Sequence, residues 1–375
     1  MNYRYFFLLV LFPAMFSCSK EPGQRKNTTQ KLDSLMLSEN IKSHFNGSLV
    51  VGNKDGILYQ KAIGVANRVW DVPFRLDTRS KICSIDKSFI AALVLKATEE
   101  GKLSLDDRLV NLIDSDIYGG SFHPEITLHH LLTHTSGLSH YEADSALSRD
   151  NFKMFKRQHF SKKEFIDYIS RIKPKSAPGE GVYYSSLSYF ILAYVLERAY
   201  HQPFASLLEN KISRPLGLEG TFCSNSSENI YQRVAEGYKQ DKNDKWIRNH
   251  FLDESLGTNI YSSSIDLYKW GAAMYDSDFL SAKSRERMLS NHLSDISPRI
   301  SYGYGWVIFD GKGKYEMGDL GIEKPYIIHG GNTEGYKSML VNINRGEHVF
   351  AFLCNSGERI NEMELARKIT NILTR

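Results

Sequence analysis

Lys81-Ile-Cys-Ser-Ile-Asp-Lys-Ser-Phe-Ile90 decides how the rest of this 375-residue chain is read. At its centre Ser84 precedes Lys87 by three positions, where a helical pattern begins. Ile85, Phe89, Ala92, Leu93 and Leu95 recur through the run to Glu100 with no proline, and Gly101 follows. The pattern predicts a mostly buried helix from Ile85 to Glu100, with a glycine just past its last turn. Ser84 in the first turn and Lys87 one turn on then project from one face. A serine hydroxyl is a weak nucleophile until a neighbour takes its proton. A lysine can do so only where burial or another cation disfavours its ammonium. The helix start adds unpaired N–H groups and a positive dipole end, both suited to a developing anion. The same spacing recurs at Ser17–Lys20 and Ser170–Lys173, so at most one of the three can be the nucleophile and the choice needs support elsewhere.

Upstream, Gly47 to Val51, Asn53-Lys-Asp-Gly56 and Ile57 to Ile63 predict strand, tight turn and strand. Leu32, Leu35 and Met36 suggest an amphipathic helix before them. At the N-terminus, Arg4 precedes an apolar run from Tyr5 to Phe16, then Ser17-Cys18-Ser19-Lys20. That reads as an export signal over residues 1–17, too short for a span. Cys18 looks like the attachment site of a bacterial lipoprotein, which would leave residues 18–31 as anchor and polar tether. The expected location is the bacterial cell envelope, held to the membrane by that lipid.

Downstream, the middle of the chain is mainly helical in pattern, strongest from Leu187 to Tyr200. Strands return at Gly303–Phe309, Tyr326–His329, Tyr336–Asn342 and His348–Cys354, and a last helix carries Ile360, Met363, Ile369, Ile372 and Leu373. Strands at both ends with helices between predict an α+β chain. One antiparallel sheet of at least five strands, flanked by helices, would be built from about 32–82 and 255–375, with a helical region inserted at about 83–254.

Forty-seven basic against 43 acidic residues leave a formal charge of +4 and no basic block, which excludes nucleic acid as the expected partner. Setting Cys18 aside leaves Cys83, Cys223 and Cys354, an odd number that argues against a disulfide framework. Cys83, beside the candidate nucleophile, could be read as a reactive thiol tuned by Lys87; a small buried packing residue is the simpler reading. His130 and His134 share a helical spacing but lack a third ligand, so they read as structural residues around a Gly137 turn rather than as a metal site. No cofactor is called for.

Two further stretches carry chemistry. Pro178-Gly-Glu-Gly-Val-Tyr-Tyr-Ser-Ser186 places Tyr184 two residues before Ser186, just ahead of a helix, where a tyrosine can relay a proton. His329-Gly330-Gly331 closes a strand whose glycines would let a substrate backbone approach, with the N–H of Asn332 facing an oxyanion. Each alone is equally an ordinary packed tyrosine or a strand ending in a turn.

Taken in order, these segments resemble the serine β-lactamase and DD-peptidase superfamily, in its class C-like branch of β-lactamases, alkaline D-peptidases and esterases. The resemblance runs from about Phe45 to Cys354. It takes in Gly101-Lys-Leu-Ser-Leu-Asp-Asp107, Leu131-Leu-Thr-His-Thr-Ser-Gly-Leu138, Tyr184-Ser-Ser186, Arg214-Pro-Leu-Gly-Leu218, Gly303-Tyr-Gly-Trp306 and His329-Gly-Gly331. It implies Ser84 as the acylated nucleophile, Lys87 as its activating partner and Tyr184 as general base. Ser186, His329, Gly330, Gly331 and Asn332 would bind substrate, with the N–H groups of Ser84 and Asn332 forming the oxyanion hole. A β-lactamase/transpeptidase-like fold would place this site between sheet and helical region. Three residues depart from the pattern. Ser186 stands where relatives carry asparagine and cannot offer an amide's donor and acceptor together, which counts against β-lactam hydrolysis. Asp86 is acidic where relatives are small or neutral; it either suits the helix dipole or turns to Lys87 and holds its charge. Cys83 replaces glycine or alanine. The expected function is an exported serine hydrolase acting on small-molecule or peptide substrates, a peptidase of D-amino-acid or cell-wall type or an esterase. The rival from another class is a catalytically silent ligand-binding protein. The sequence assigns no oligomeric state.

Overall fold

Strand alternation sorts the core into two halves. Along β1 (Gly47–Asn53), Leu49 and Val51 join one apolar core and Val50 joins the other, as period-two geometry requires. The computed structural model describes residues 22–113, 122–138, 161–224, 229–248, 259–275, 277–313, 315–333 and 335–375. In it β1 pairs with β2 (Gly56–Ile63) across the predicted turn, where Gly56 takes φ +127°. Four C-terminal strands complete the sheet: β3 (Val307–Phe309), β4 (Tyr326–Thr333), β5 (Tyr336–Ile343) and β6 (His348–Cys354). The six run antiparallel in the order β3-β4-β5-β6-β1-β2, and Gly47 lies opposite Cys354, so both ends of the chain meet in one sheet.

Both faces are covered. Phe350 and Phe352 of β6 share a core with Leu32 and Met36 of the Pro22–Leu37 helix and Leu365 and Ile369 of the Glu362–Thr374 helix. Val349, Ala351 and Leu353 face the other way, onto Leu267 and Trp270 of the Ser264–Ala273 helix and the Asp86–Glu99 helix beyond. That last helix is buried continuously from Lys87 to Leu95, as an apolar surface on every side demands. Its Phe89 stacks on Trp270 with ring centroids 4.2 Å apart. Phe89→Ala would cost about 3–5 kcal/mol through the cavity it leaves. On its far side it packs against the Ser186–Tyr200 helix. A small sheet of Ser80–Lys81, Asn259–Ser262 and Phe222–Ser224 leads the chain into it.

Three expectations need correction. The first helix runs from Pro22 to Leu37 rather than starting at Leu32, so the polar stretch before Leu32 is helical from Pro22; apolar periodicity starts only at Leu32 because residues 25–31 are polar and mostly exposed. The strand expected from Gly303 begins at Val307, because Gly305 adopts φ +73° and breaks the extension. Cys83 is half-buried rather than buried, in a left-handed conformation at φ +52°, and none of Cys83, Cys223 and Cys354 is in a disulfide. The signal and Cys18 lie outside the described residues. Among the described residues no helix is long and apolar enough to cross a membrane.

Candidate active site

The nucleophile turn is assembled before the helix proper. Cys83–Ile85 form a single 3₁₀ turn that runs directly into Asp86–Glu99. Ser88 Oγ donates to the Ile85 carbonyl at 2.7 Å and accepts from Trp270 Nε1 at 2.9 Å, which locks the junction from below. On the sheet side, Ser338 Oγ of β5 donates to the Ile82 carbonyl at 2.6 Å.

Two glycines explain why the turn can sit so deep. A Cβ on Gly331 would stand 2.5 Å from the Ile82 carbonyl oxygen and 2.8 Å from Cys83 Cβ. A Cβ on Gly305 would stand 2.5 Å from the Lys87 carbonyl oxygen and 2.7 Å from Ser88 Cα. Strand β4 and the 302–306 loop thus clamp residues 82–88 backbone to backbone. The role expected of the paired glycines was substrate approach; for Gly331 the structure shows close packing of protein on protein. At Gly330 the nearest obstacle is the mobile end of the Met339 side chain at 3.3 Å, so room is left there.

Tyr184 is positioned by the motif around His134. The Leu128–Leu132 helix ends in a turn where His134 has φ +62° and Gly137 φ +81°. Segment 175–185 docks on that turn: Lys175 N–H donates to the Gly137 carbonyl, Gly179 N–H to Thr135 and Tyr183 N–H to His134, each at 2.8 Å. Ser185 N–H donates to His134 Nδ1 at 3.1 Å, and the His134 and Tyr184 rings lie 4.5 Å apart. His130 instead closes a capping box with Thr127 at its own helix start. The two histidines therefore serve the backbone, and among the described residues no group of three His, Cys, Asp or Glu is placed to hold a metal.

Lys87 is the centre of the cluster, with 2% of its side chain exposed. Its Nζ lies 3.4 Å from Asp86 Oδ1, 5.2 Å from the Tyr184 ring centroid and 5.6 Å from that of Tyr189. Burial works hardest to strip its proton, yet the Asp86 charge and then the Tyr184 hydroxyl overcome it and hold the amine above its ordinary range. His329 of β4 points inward. Its Nδ1–H donates to the Gly330 carbonyl at 2.7 Å, so Nε2 is left to accept from the Tyr302 hydroxyl at 3.2 Å. Burial first and the Lys87 charge second pull His329 down to about 3, which makes it a neutral imidazole. Burial likewise pushes the Tyr189 and Tyr302 phenols well above their usual range, so both keep their protons.

The structure thus gathers Lys87, Tyr184 and His329 around the turn that carries Ser84. Ser84 itself is half-buried, Ser186 opens the next helix as a half-buried residue, and Asn332 is exposed on β4. Strand β3 pairs with β4 only along Tyr326–Ile328; beyond that, among the described residues, no strand covers the outer edge of His329–Thr333. Of the other serine–lysine pairs, Ser170 spends its hydroxyl on the Asp167 carbonyl while Lys173 is exposed, and Ser17–Lys20 lies outside the described residues. Sequence reading missed Gly305, Tyr189 and Tyr302. The Gly303-Tyr-Gly-Trp306 run was the available signal, since two glycines in four residues sit poorly in a strand.

The beta-lactamase family model matches residues 38–372. Penicillin-binding protein 4* of Bacillus subtilis (strain 168) is 26% identical over 350 residues, covering 89% of this chain and 73% of the relative. Esterase EstB of Burkholderia gladioli is 30% identical over 211 residues, so the match spans 51% of this chain and 53% of EstB. The solved penicillin-binding protein homologue from Pyrococcus abyssi has the same fold, with a TM-score of 0.76 at 24% identity over 92% of this chain and 77% of its own. Along 38–372, then, and with its serine, lysine and tyrosine motifs placed around one clamped turn, the chain belongs to the beta-lactamase family of serine hydrolases.

Proposed function

We propose that this chain hydrolyses amide bonds of D-amino-acid or cell-wall-type peptides through an acyl-enzyme on Ser84. The observation that carries the reading is the placement of a buried ammonium and a phenol at the turn bearing Ser84, beside an uncovered strand edge. Ser84 Oγ bonds to the acyl carbon while its proton passes to the Tyr184 oxygen, which enters the step as the phenolate paired with the Lys87 ammonium. The N–H groups of Ser84 and Asn332 receive the oxyanion, each worth about 3–4 kcal/mol in such a role. The C–N bond then breaks, the departing amine takes up the proton, and water repeats the sequence to release the acid and restore Ser84. An extended peptide can lie along β4 beyond Ile328 as an added strand, which favours a peptide over a small ester. The Bacillus subtilis penicillin-binding protein is in keeping with this reading.

Ser186 favours a second reading, an esterase. An ester has no N–H for an asparagine side chain to receive, so the loss of that amide weighs less, and EstB is a relative of that kind. Export by residues 1–17 and lipid attachment at Cys18 belong to the proposal on sequence grounds alone.

Intact-mass measurement after incubation with a fluorophosphonate probe tests the nucleophile: one adduct on Ser84 is expected and none on Ser84→Ala. A wild-type chain that stays unmodified at high probe concentration would point to the silent binder. A hydrolysis panel of D-alanyl peptides, p-nitrophenyl esters and nitrocefin then orders the substrates, and turnover of esters alone would replace the peptidase reading by the esterase.

A further inference from the structure

We infer that Asp86 is a positioning residue for the reaction, a built-in counter-ion that pins the proton of Lys87 and so sets the upper pH limit at which Ser84 is acylated. The inference rests on the proposed role of Ser84 and adds the charge state of the group beside it. Neighbours one apart on a helix do not ordinarily face each other. Here the Lys87 amine nevertheless lies 3.4 Å from Asp86 Oδ1, with 2% and 17% of the two side chains exposed. A lysine this deep is expected to lose its proton unless a partner holds it.

The other groups facing Lys87 cannot replace Asp86. From β4 comes His329, a neutral imidazole with its proton spent on the Gly330 carbonyl. From the segment ahead of the Ser186–Tyr200 helix comes Tyr184, and from that helix Tyr189, whose hydroxyl donates to the Leu132 carbonyl at 2.7 Å. Tyr302 gives its hydroxyl to His329, and the His134 ring packs tilted against the rings of Tyr184, Tyr189 and Tyr302. Among these described neighbours Asp86 supplies the one carboxylate in contact with the ammonium. Lys87 is then a fixed donor to the Tyr184 oxygen, and Tyr184, entering the step as its phenolate, is the member of the pair that receives the serine proton.

The test is Asp86→Asn, read two ways. The first is the pH dependence of the second-order rate of fluorophosphonate labelling at Ser84. The second is the titration of the Lys87 side-chain amine by carbon-13 NMR, assigned against Lys87→Met. Loss of the counter-ion should move the alkaline limb of the labelling profile down by at least one pH unit, slow labelling at pH 9.5 at least tenfold, and move the Lys87 titration down with it. Asp86→Glu should restore both, which separates the charge from any folding defect of the amide. An unchanged alkaline limb with an unchanged Lys87 titration would overturn the inference. So would faster labelling at neutral pH with no alkaline loss, because the neutral amine would then be the reactive form. Failure of the wild-type chain to label would instead count against the proposed function, and the NMR titration would still decide what Asp86 does to Lys87.

Discussion

Gly331→Ala isolates the clamp on the nucleophile turn. The new Cβ would stand 2.4 Å from Ser338 Oγ, 2.5 Å from the Ile82 carbonyl oxygen and 2.8 Å from Cys83 Cβ. Comfortable separations for such atoms are about 3.5–4.0 Å, so the turn must withdraw from β4 by roughly 1 Å. Two of the three obstacles are fixed by the backbone, and the third is the hydroxyl that already bonds the Ile82 carbonyl, so no flexible chain end can yield. Overpacking of this kind costs about 1–3 kcal/mol. A displacement of about 1 Å at the reacting centre costs on the order of 100-fold in rate. The assay pairs urea unfolding with the rate of fluorophosphonate labelling at Ser84, and Gly330→Ala is the control. At that position only the end of Met339 lies close, at 3.3 Å, and it can swing away. A large loss in both readouts for Gly331→Ala, with Gly330→Ala within about 0.5 kcal/mol of the parent, is expected. Equal damage from both substitutions, or labelling at the parental rate in Gly331→Ala, would refute the clamp and return the glycines to substrate approach.

Gly305→Ala acts on the opposite side of the turn. Its φ of +73° adds about 1–2 kcal/mol of left-handed strain to about 1–3 kcal/mol of overpacking against Lys87 and Ser88, so the urea midpoint should fall further than in Gly331→Ala. Cys83→Gly should instead raise stability by about 0.5–1 kcal/mol, since glycine accepts φ +52° and gives back only part of the gain in unfolded-chain entropy. His129 gives a pH dependence of defined sign. Burial, followed by the charges of His292 and His130, lowers it to about 4 from 6.5, so between those values the unfolded chain binds more protons than the folded one. Its contribution is complete above pH 6.5 and is lost as pH falls towards 4, by about 2–3 kcal/mol, and His129→Gln should flatten that part of a urea-midpoint profile.

Much of the fold was open to sequence reading because its physics is local. Alternation in 47–63 and 326–354, the Asn53-Lys-Asp-Gly56 turn and the glycine after Glu100 each declare a backbone geometry within a few residues, and the sheet follows from pairing the two ends. What escaped is set by approach between distant segments. The need for glycine at 305 comes from the Lys87 and Ser88 backbone more than 200 positions earlier, and no periodicity within 303–309 encodes it. The early start of the first helix escaped for a different reason: residues 25–31 are polar and mostly exposed, so they carry no apolar stripe to read.

The chemistry of Lys87 shows the same limit more sharply. Helical spacing alone places Asp86 and Lys87 on different faces, which favours the reading of Asp86 as a dipole partner at the helix start. Tertiary packing reverses it. With β4 and the 302–306 loop pressed against the turn and the rings of Tyr184 and Tyr189 close by, the lysine is sealed from water and its head has to meet its charge nearby. Asp86 is the neighbour that can bend to it, since its side chain keeps 17% of its surface exposed while Lys87 keeps 2%. Of the two roles the linear sequence left open for Asp86, the closed site favours the second, a counter-ion beside which a buried lysine can stay charged.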